Sequence, residues 1–578
     1  MKEQSSNDNP PFEVRLVSSL DKVFFSRQLE APPFEGVAAA RGETAAFQIA
    51  VWIKPVKDLT WEGPCDRILE LEPISVPRGC EVGVRAVGHV ACTRPAYDDD
   101  PFILTAEPGV FPDPLLPRHE LWMRRGYWMT FWIDFRPGPD ADAGRHELAF
   151  RLVSRPGARL DVIGEKTVTV AAEVRDFTLP PQRLRCTLWF YPECIMWHYR
   201  VEAWGERHWE LIGNYLRDLA AHGCNCLLTP LWTYILGVPV GGFRPKCQLL
   251  EVSYRNGVYS FGFSRLDRWI ALARECGIDC FEMSHAFSSW GAKYPPTIYV
   301  EEEDGIERPR LGWNAEGTGE EYRDFLRQLM PPLLAFLRSR GVTPDKCYFH
   351  VSDEPEQKDL ENYEKAAVFM RELLGDYPTC DALSEVSFLD RNLTRIPIPL
   401  TNKVADFLDK DVAERWVYYC GNYYKGVPNR QFGMPSWRNR VLGILLYWLE
   451  MDGFLHWGHN FWFSRQSYDP DLNPWQNTCA GGNWCGGASF NVYPGPDGHP
   501  VSSIHYEVFA EAMQDLRALD LLDSLIGREA TKEVIRKTLP AGFGELAMTN
   551  YPHEREWVFK VRDAVDAAIV AATANTPS

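Results

Sequence analysis

Tyr348-Phe349-His350-Val351-Ser352-Asp353-Glu354-Pro355 runs from apolar, aromatic and β-branched residues straight into two adjacent carboxylates and a proline. Residues Cys347 to Val351 have the composition of a short buried strand. Pro355 cannot continue a sheet, and it biases Glu354 toward an extended backbone. Asp353 and Glu354 are therefore expected at the C-terminal end of a buried strand. Barrels and open α/β sheets build their active sites there. Two carboxyls held close cannot both ionise easily, so one of them keeps its proton to higher pH. An acid of that kind beside an ionised one is equipped for glycosidic bond cleavage. The competing reading is a solvated strand end followed by a helix-starting proline.

Around this stretch, strand-like and helix-like segments alternate, which indicates a parallel sheet. Strands are expected at Leu184–Phe190, Cys226–Thr229, Ile278–Met283 and Cys347–Val351. Helices are expected at Trp204–His222, Leu266–Cys276, Tyr322–Arg340 and Leu360–Leu374. The first three helices are followed by Gly223, Gly277 and Gly341, a helix-ending signal. Ala382–Val386, Val404–Leu408, Trp416–Cys420 and Phe454–Trp457 supply four further strands, and eight alternations fit a (β/α)8 TIM barrel. Before Leu179-Pro180-Pro181 the chain is β-rich, with runs such as Thr44–Trp52 and Tyr127–Phe135 separated by turn clusters. That pattern suggests a β-sandwich. The expected organisation is multidomain: a disordered stretch over 1–11, an N-terminal β-sandwich over 12–180, the barrel over 181–522 and a helical C-terminal extension over 523–578.

The net charge of −18 over 578 residues argues against nucleic-acid backbones and anionic membranes as partners. No apolar run approaches the length of a membrane span. Met1 to Pro11 lacks a secretory signal, so a cytoplasmic location is expected unless a leader has been removed. The fifteen scattered cysteines then read as reduced thiols. Their spacing matches no zinc site, and His456 and His459 lack a companion carboxylate cluster. No metal or other cofactor is expected.

The 21 Trp, 23 Tyr and 31 Phe serve as core or as faces for stacking on sugar rings. Candidate substrate contacts at the barrel strand ends are Trp232, His285, Tyr419, Asn422, Trp457, Asn460 and Trp462. Asp353 and Glu354 are the candidate catalytic pair. Neighbouring strand residues point to opposite faces, so two adjacent acids suit opposite sides of one scissile bond poorly. They suit one acid protonating the leaving oxygen while the other assists a nucleophile carried by the substrate, such as a 2-acetamido group. The expected partner is an oligosaccharide or glycoside, with a homo-oligomer left open.

The chain resembles glycoside hydrolase family 123 and its wider group. The segments that carry the resemblance are Arg41-Gly-Glu-Thr-Ala-Ala-Phe-Gln, Val174-Arg-Asp-Phe-Thr-Leu-Pro, His350-Val-Ser-Asp-Glu-Pro, Gly453-Phe-Leu-His-Trp-Gly-His-Asn-Phe-Trp, and Ser503-Ile-His-Tyr-Glu with Gln514-Asp515. The resemblance implies exo-acting, retaining cleavage of a β-linked N-acetylhexosamine, of the N-acetylgalactosamine type. On it, Asp353 stabilises an oxazolinium intermediate, and Glu354 is general acid, then general base. His505 departs from the arginine usual in the family, and most relatives act on exported glycans. Two alternatives stand beside this reading. One is a glycosidase for another sugar, with Asp353 or Glu385 as nucleophile. The other is a non-catalytic carbohydrate-binding protein.

Overall fold

The strand Trp128–Pro137 is apolar or aromatic at most of its positions because both of its faces are covered. Phe131, Ile133 and Phe135 enter an apolar cluster drawn from two five-stranded sheets. Trp132, on the opposite face, packs against Val87, Leu115, Ile504 and Val508. The period of two thus points one set of side chains at the facing sheet and the other at the helix Ile504–Ile526. The computed structural model describes residues 12–53, 67–123, 126–156, 164–289 and 291–574. The stretch 1–11, expected to be disordered, lies outside the described residues.

One of the two sheets orders its strands Phe12–Ser18, Ala45–Ile53, Trp128–Pro137, Cys80–Cys92, Gly109–Leu116. The other orders them Val37–Arg41, Gly164–Thr178, Gly144–Pro156, Arg67–Ser75, Glu120–Met123. Pairing is antiparallel except between Gly164–Thr178 and Val37–Arg41.

The remainder is α/β around parallel strands. Six of them form one curled, half-barrel-like sheet, in the order Cys347–Phe349, Cys280–Met283, Cys226–Thr229, Arg185–Leu188, Gly453–His456, Trp416–Tyr418. Cys380–Ala382 and Ile396–Ile398 form a second, two-stranded parallel sheet. Isolated parallel bridges join Phe349 to Thr379 and Leu400 to Tyr418. These pairings link both ends of the six-stranded sheet to the two-stranded one. The helices Glu206–Ala221, Ser264–Glu275 and Glu320–Ser339 end one residue before a cap, and Gly223, Gly277 and Gly341 follow at φ 86°, 93° and 65°. Only the left-handed region allows those turns, which is why glycine stands there.

Two expected strands need correction. Ala382–Val386 does not form one: the strand is Cys380–Ala382, and Val386 opens the short helix Val386–Asp390. Val404–Leu408 is a 3-10 turn over Val404–Phe407. The strand in that region is Ile396–Ile398, masked in the sequence by Pro397 at its centre. The strands expected at Leu184–Phe190, Cys347–Val351, Trp416–Cys420 and Phe454–Trp457 form as shorter or shifted segments, Arg185–Leu188, Cys347–Phe349, Trp416–Tyr418 and Gly453–His456.

Buried ion pairs join the N-terminal sheets to the C-terminal helices. Arg85 bonds Asp134 at 2.7 Å and Glu507 at 2.6 Å. Arg562 donates two bonds of 2.7 Å to Glu43 and also reaches Asp515 at 3.0 Å and Asp566 at 2.8 Å. Replacing Arg562 by Met would leave buried Glu43 without its cation, while Asp515 keeps Arg440 and Asp566 keeps Arg175 at 3.5 Å. Breaking a buried pair from one side costs about 3–5 kcal/mol. Arg562→Met should therefore lower the unfolding free energy by that order, and an unchanged value in denaturant titration would show that the cluster holds nothing together.

Candidate active site

The strand Cys347–Phe349 is followed by a buried extension. The Val351 amide donates to Asp381 Oδ1 at 2.9 Å, and Ala286 and Phe287 donate to the carbonyls of His350 and Val351 at 3.0 and 2.9 Å. Ser352 Oγ donates to the Ser288 carbonyl at 2.7 Å. Asp353 and Glu354 then emerge, both partly exposed, into a cavity of about 160 Å³. Its walls include Trp189, Tyr191, Tyr418, Asn422, Trp457 and Trp484. Glu354 does not take the extended backbone expected before Pro355. Its φ is 43°, in the left-handed region, and its amide is held on the Ala382 carbonyl at 3.1 Å. A non-glycine residue there carries strain of order 1–3 kcal/mol, a cost that recurs at functional sites. The turn lets two sequence neighbours line one cavity instead of opposite faces of a strand.

Burial raises the pKa of Asp353 well above the usual carboxylate range, and the charge of Glu354 raises it further. Ser289 Oγ donates to Asp353 Oδ2 at 3.4 Å, while the Tyr418 hydroxyl donates to Glu354 Oε1 at 2.6 Å. Of the two acids, Asp353 is the one that burial and its neighbour push toward keeping a proton. Beneath the pair, His350 Nε2 lies 2.8 Å from Glu282 Oε2, and its Nδ1 lies 3.4 Å from Asp381 Oδ1. Trp189 Nε1 donates to Glu282 at 3.1 Å, and the Tyr363 hydroxyl to Asp381 at 2.5 Å. Burial alone would lower the His350 pKa, but Cys380, Asp381 and Glu282 outweigh it and hold it well above the usual imidazole value. His350 thus sits between two acid side chains below Asp353.

Of the residues expected to contact substrate, Asn422 and Trp457 line the cavity with the acid pair. The other five are placed elsewhere. Tyr419 is buried and bonds Asn439, because strand alternation turns it away and presents Tyr418 instead. Asn460 is buried and clamps the backbone of Tyr191, accepting from its amide and donating to its carbonyl at 2.9 Å each. Trp462 is buried, with its indole N–H on the Val492 carbonyl at 3.0 Å. Trp232 is buried and donates to the His285 carbonyl at 2.8 Å. His285 stacks on His350 at 4.2 Å between centroids, behind the cavity floor, and burial pushes its pKa well down. The sequence reading missed Trp484. Its setting, Gly481-Gly482-Asn483-Trp484-Cys485-Gly486-Gly487, was the available signal of a loop that presents an aromatic.

His285, His350 and Asp381 place three possible metal-ligand atoms within 4.8 Å of one another. The two imidazole planes are only 16° apart and stacked, so their in-plane lone pairs do not converge on one ion. A second group, Glu70, His119 and Glu120, lies on the N-terminal sheets and does not line the cavity. Among the described residues no helix is long and apolar enough to cross a membrane.

A family model described as glycoside hydrolase 123, catalytic domain, matches residues 189–522. A solved family 123 glycoside hydrolase from Clostridium perfringens, studied for glycolipid glycan hydrolysis, is similar in fold. Its TM-score is 0.71 at 15% identity, covering 96% of this chain and 97% of that one. A glycoside hydrolase family 5 protein from Bacteroides vulgatus ATCC 8482 covers 63% of this chain and 72% of its own at TM-score 0.34 and 10% identity. A beta-galactosidase from Bacillus circulans sp. alkalophilus covers 59% and 56% at TM-score 0.35 and 11% identity. The last two scores are too low to indicate a shared fold. No curated protein sequence matches the chain. The family model spans more than half of the chain and includes the acid pair and its strand, and the chain belongs to glycoside hydrolase family 123.

Proposed function

We propose that this glycoside hydrolase removes a terminal β-linked N-acetylhexosamine, of the N-acetylgalactosamine type, with retention and through the substrate's own amide. The observation that carries the reading is the convergence of Asp353 and Glu354, adjacent in sequence, on one small cavity. A volume of about 160 Å³ falls below the roughly 300–1,000 Å³ of a drug-sized ligand site, which favours a single sugar ring and exo action. Trp457 and Trp484, edge to face at 4.7 Å, supply an aromatic wall for its apolar face. The Clostridium relative acts on glycolipid glycans, and a terminal sugar of such a glycan is a fitting substrate class. In the same reading the two N-terminal sheets are a β-sandwich over 12–180. The parallel strands are a (β/α)8 barrel over 181–522, and 523–578 is a helical extension.

The mechanism starts from Asp353 being the acid pushed up beside Glu354. On binding, the 2-acetamido N–H takes the place of the Asp353 proton, and the pair's proton serves Glu354. Glu354 protonates the glycosidic oxygen as the acetamido oxygen attacks the anomeric carbon. Asp353, now ionised, stabilises the oxazolinium. Glu354 then takes a proton from the water that opens it. Tyr418 holds Glu354 in position through the 2.6 Å bond. Glu385, the alternative nucleophile, does not line the cavity, which weakens a carboxylate-nucleophile scheme.

Aryl glycosides with and without a 2-acetamido group test this reading. Turnover should be confined to the 2-acetamido members, and equal turnover of the others would remove the proposed role of the amide. Glu354→Gln should slow substrates with poor leaving groups about 10²–10⁴-fold, the usual worth of general acid–base catalysis. Activated aryl glycosides should be spared. In that variant Asp353 loses the neighbouring charge that raises its pKa but keeps its burial. Because Asp353 acts ionised, activity on the activated substrate should be present above its pKa and lost below it. The midpoint should be lower than for Asp353 in the wild type. A midpoint unmoved by the substitution would show that the two acids do not share a proton.

The two tryptophans should separate cavity wall from core. Trp484→Ala should raise KM with little change in Tm. Trp462→Ala should instead cost roughly 3–5 kcal/mol of stability, as loss of a buried Trp does. The reverse pattern would overturn the assignment of Trp484 to the wall.

A further inference from the structure

The outer wall of the cavity is held from the N-terminal sheets. Cys92 ends the strand Cys80–Cys92, and its sulfur lies 3.5 Å from that of Cys479, 387 positions away in the chain. The loop after Cys479 is docked on the same strand end. Thr478 Oγ1 donates to the Ala91 carbonyl at 2.9 Å, the Gly486 amide to the Arg94 carbonyl at 2.9 Å, and Arg94 to the Asn483 carbonyl at 3.4 Å. A Cβ on Gly486 would fall 2.7 Å from the Cys92 sulfur, so the contact excludes any larger residue. Between these anchors stands Trp484, which lines the cavity.

We infer that Cys92 and Cys479 are a modification site: they form a reversible disulfide that ties the Trp484 loop to the N-terminal sheets. The inference does not depend on which sugar is cleaved. Both side chains are buried, yet Gly481, Gly482 and Asn483 beside them are exposed. Ala480, Gly481 and Gly482 turn the chain at φ 47°, 76° and 86°, so backbone adjustment is concentrated there. Bonding needs the sulfurs to close from 3.5 Å to about 2.05 Å. The two thiols are also unequal. The contact between the two sulfurs shifts them in opposite directions, Cys479 down and Cys92 up. We assign Cys479, the member shifted down and the one beside the exposed turn, as the sulfur that reacts with an oxidant as its thiolate.

A small peroxide is the class of oxidant that suits so enclosed a pair. The Cys479 thiolate attacks one oxygen of hydrogen peroxide, the O–O bond breaks, and hydroxide leaves with a sulfenic acid on Cys479. The Cys92 sulfur attacks the Cys479 sulfur, and the departing hydroxide takes the Cys92 proton as water. Two thiols and one peroxide give one disulfide and two waters, and a dithiol reductant reverses the result. Cys226 and Cys280 also touch, at 2.9 Å, but they face each other on paired strands inside the parallel sheet. Burial pushes the Cys226 thiol well up, and both side chains are fully enclosed in the sheet with no exposed turn beside them.

The test is peptide mapping of the full chain after stoichiometric hydrogen peroxide and blocking of free thiols with N-ethylmaleimide. The expected product is one linked peptide pair joining Cys92 to Cys479, lost on treatment with dithiothreitol and accompanied by a rise in Tm. Cys92→Ser should stop the reaction at a sulfenic acid on Cys479 that dimedone captures. If that variant fails to fold, the wild-type map decides alone. Recovery of Cys479 as a free thiol or as sulfinic acid in the oxidised wild type, or a link only between Cys226 and Cys280, would overturn the inference.

Discussion

Two carboxyl groups on consecutive residues, set at the end of a buried strand, cannot both be ionised without large electrostatic cost. The rest of the site is arranged around that constraint. The strained turn at Glu354 brings both side chains to one cavity, and the Tyr418 hydroxyl donates to Glu354 there. Below, His350 is held between Glu282 and Asp381 in a buried region, and these neighbours push its pKa up. A charge on His350 offsets part of the cost at Asp353, where burial and Glu354 are the larger effects. The result is a pair in which Asp353 is pushed to keep its proton above the usual carboxylate range. That is the state a proton donor beside an ionised partner requires.

The scaffold carries this arrangement through short strands and long connections. The strand that delivers the acids spans only Cys347–Phe349, and its extension is held by side chains from the neighbouring segments, notably Asp381 and Ser288. The wall opposite comes from loops that need outside support. Asn460 clamps Tyr191, Trp457 accepts the Tyr191 hydroxyl at 2.7 Å, and the Trp484 loop rests on the end of the strand Cys80–Cys92. The N-terminal sheets thereby contribute to the cavity without placing a side chain in its lining. Tyr97 extends the same support to the rim, where it stacks on Tyr424 at 4.0 Å and approaches Asn422 at 3.4 Å.

The acid pair was legible because an apolar run ending in Asp-Glu-Pro reports both burial and an abrupt stop. The glycines after three helices were legible for the same kind of reason, a backbone angle that only glycine takes freely. What composition could not report was parity. One residue of shift exchanges Tyr418 for Tyr419, and both are tyrosines on a three-residue strand. Nor could it separate Trp457 from Trp462, since one segment supplies both the cavity wall and the core beneath it. Pro397 concealed a strand by breaking the rule that keeps proline from sheet interiors, and Ala382–Val386 straddled a strand end and a helix start. The extended backbone expected for Glu354 failed because tertiary contacts, including its amide bond to Ala382, overrode the local preference set by Pro355. His505, expected to depart from the family pattern, bonds Asp113 at 2.7 Å.

Proton magnetic resonance of the first-formed sugar, recorded before mutarotation, tests the central claim most directly. An adjacent acid pair that assists the substrate's amide inverts the anomeric carbon twice. The initial product from a β-linked N-acetylhexosaminide should therefore be the β-anomer, and the signal of the α-anomer should grow only as the solution equilibrates. An initial α-anomer would mean a single displacement by water and would contradict the role given to Asp353.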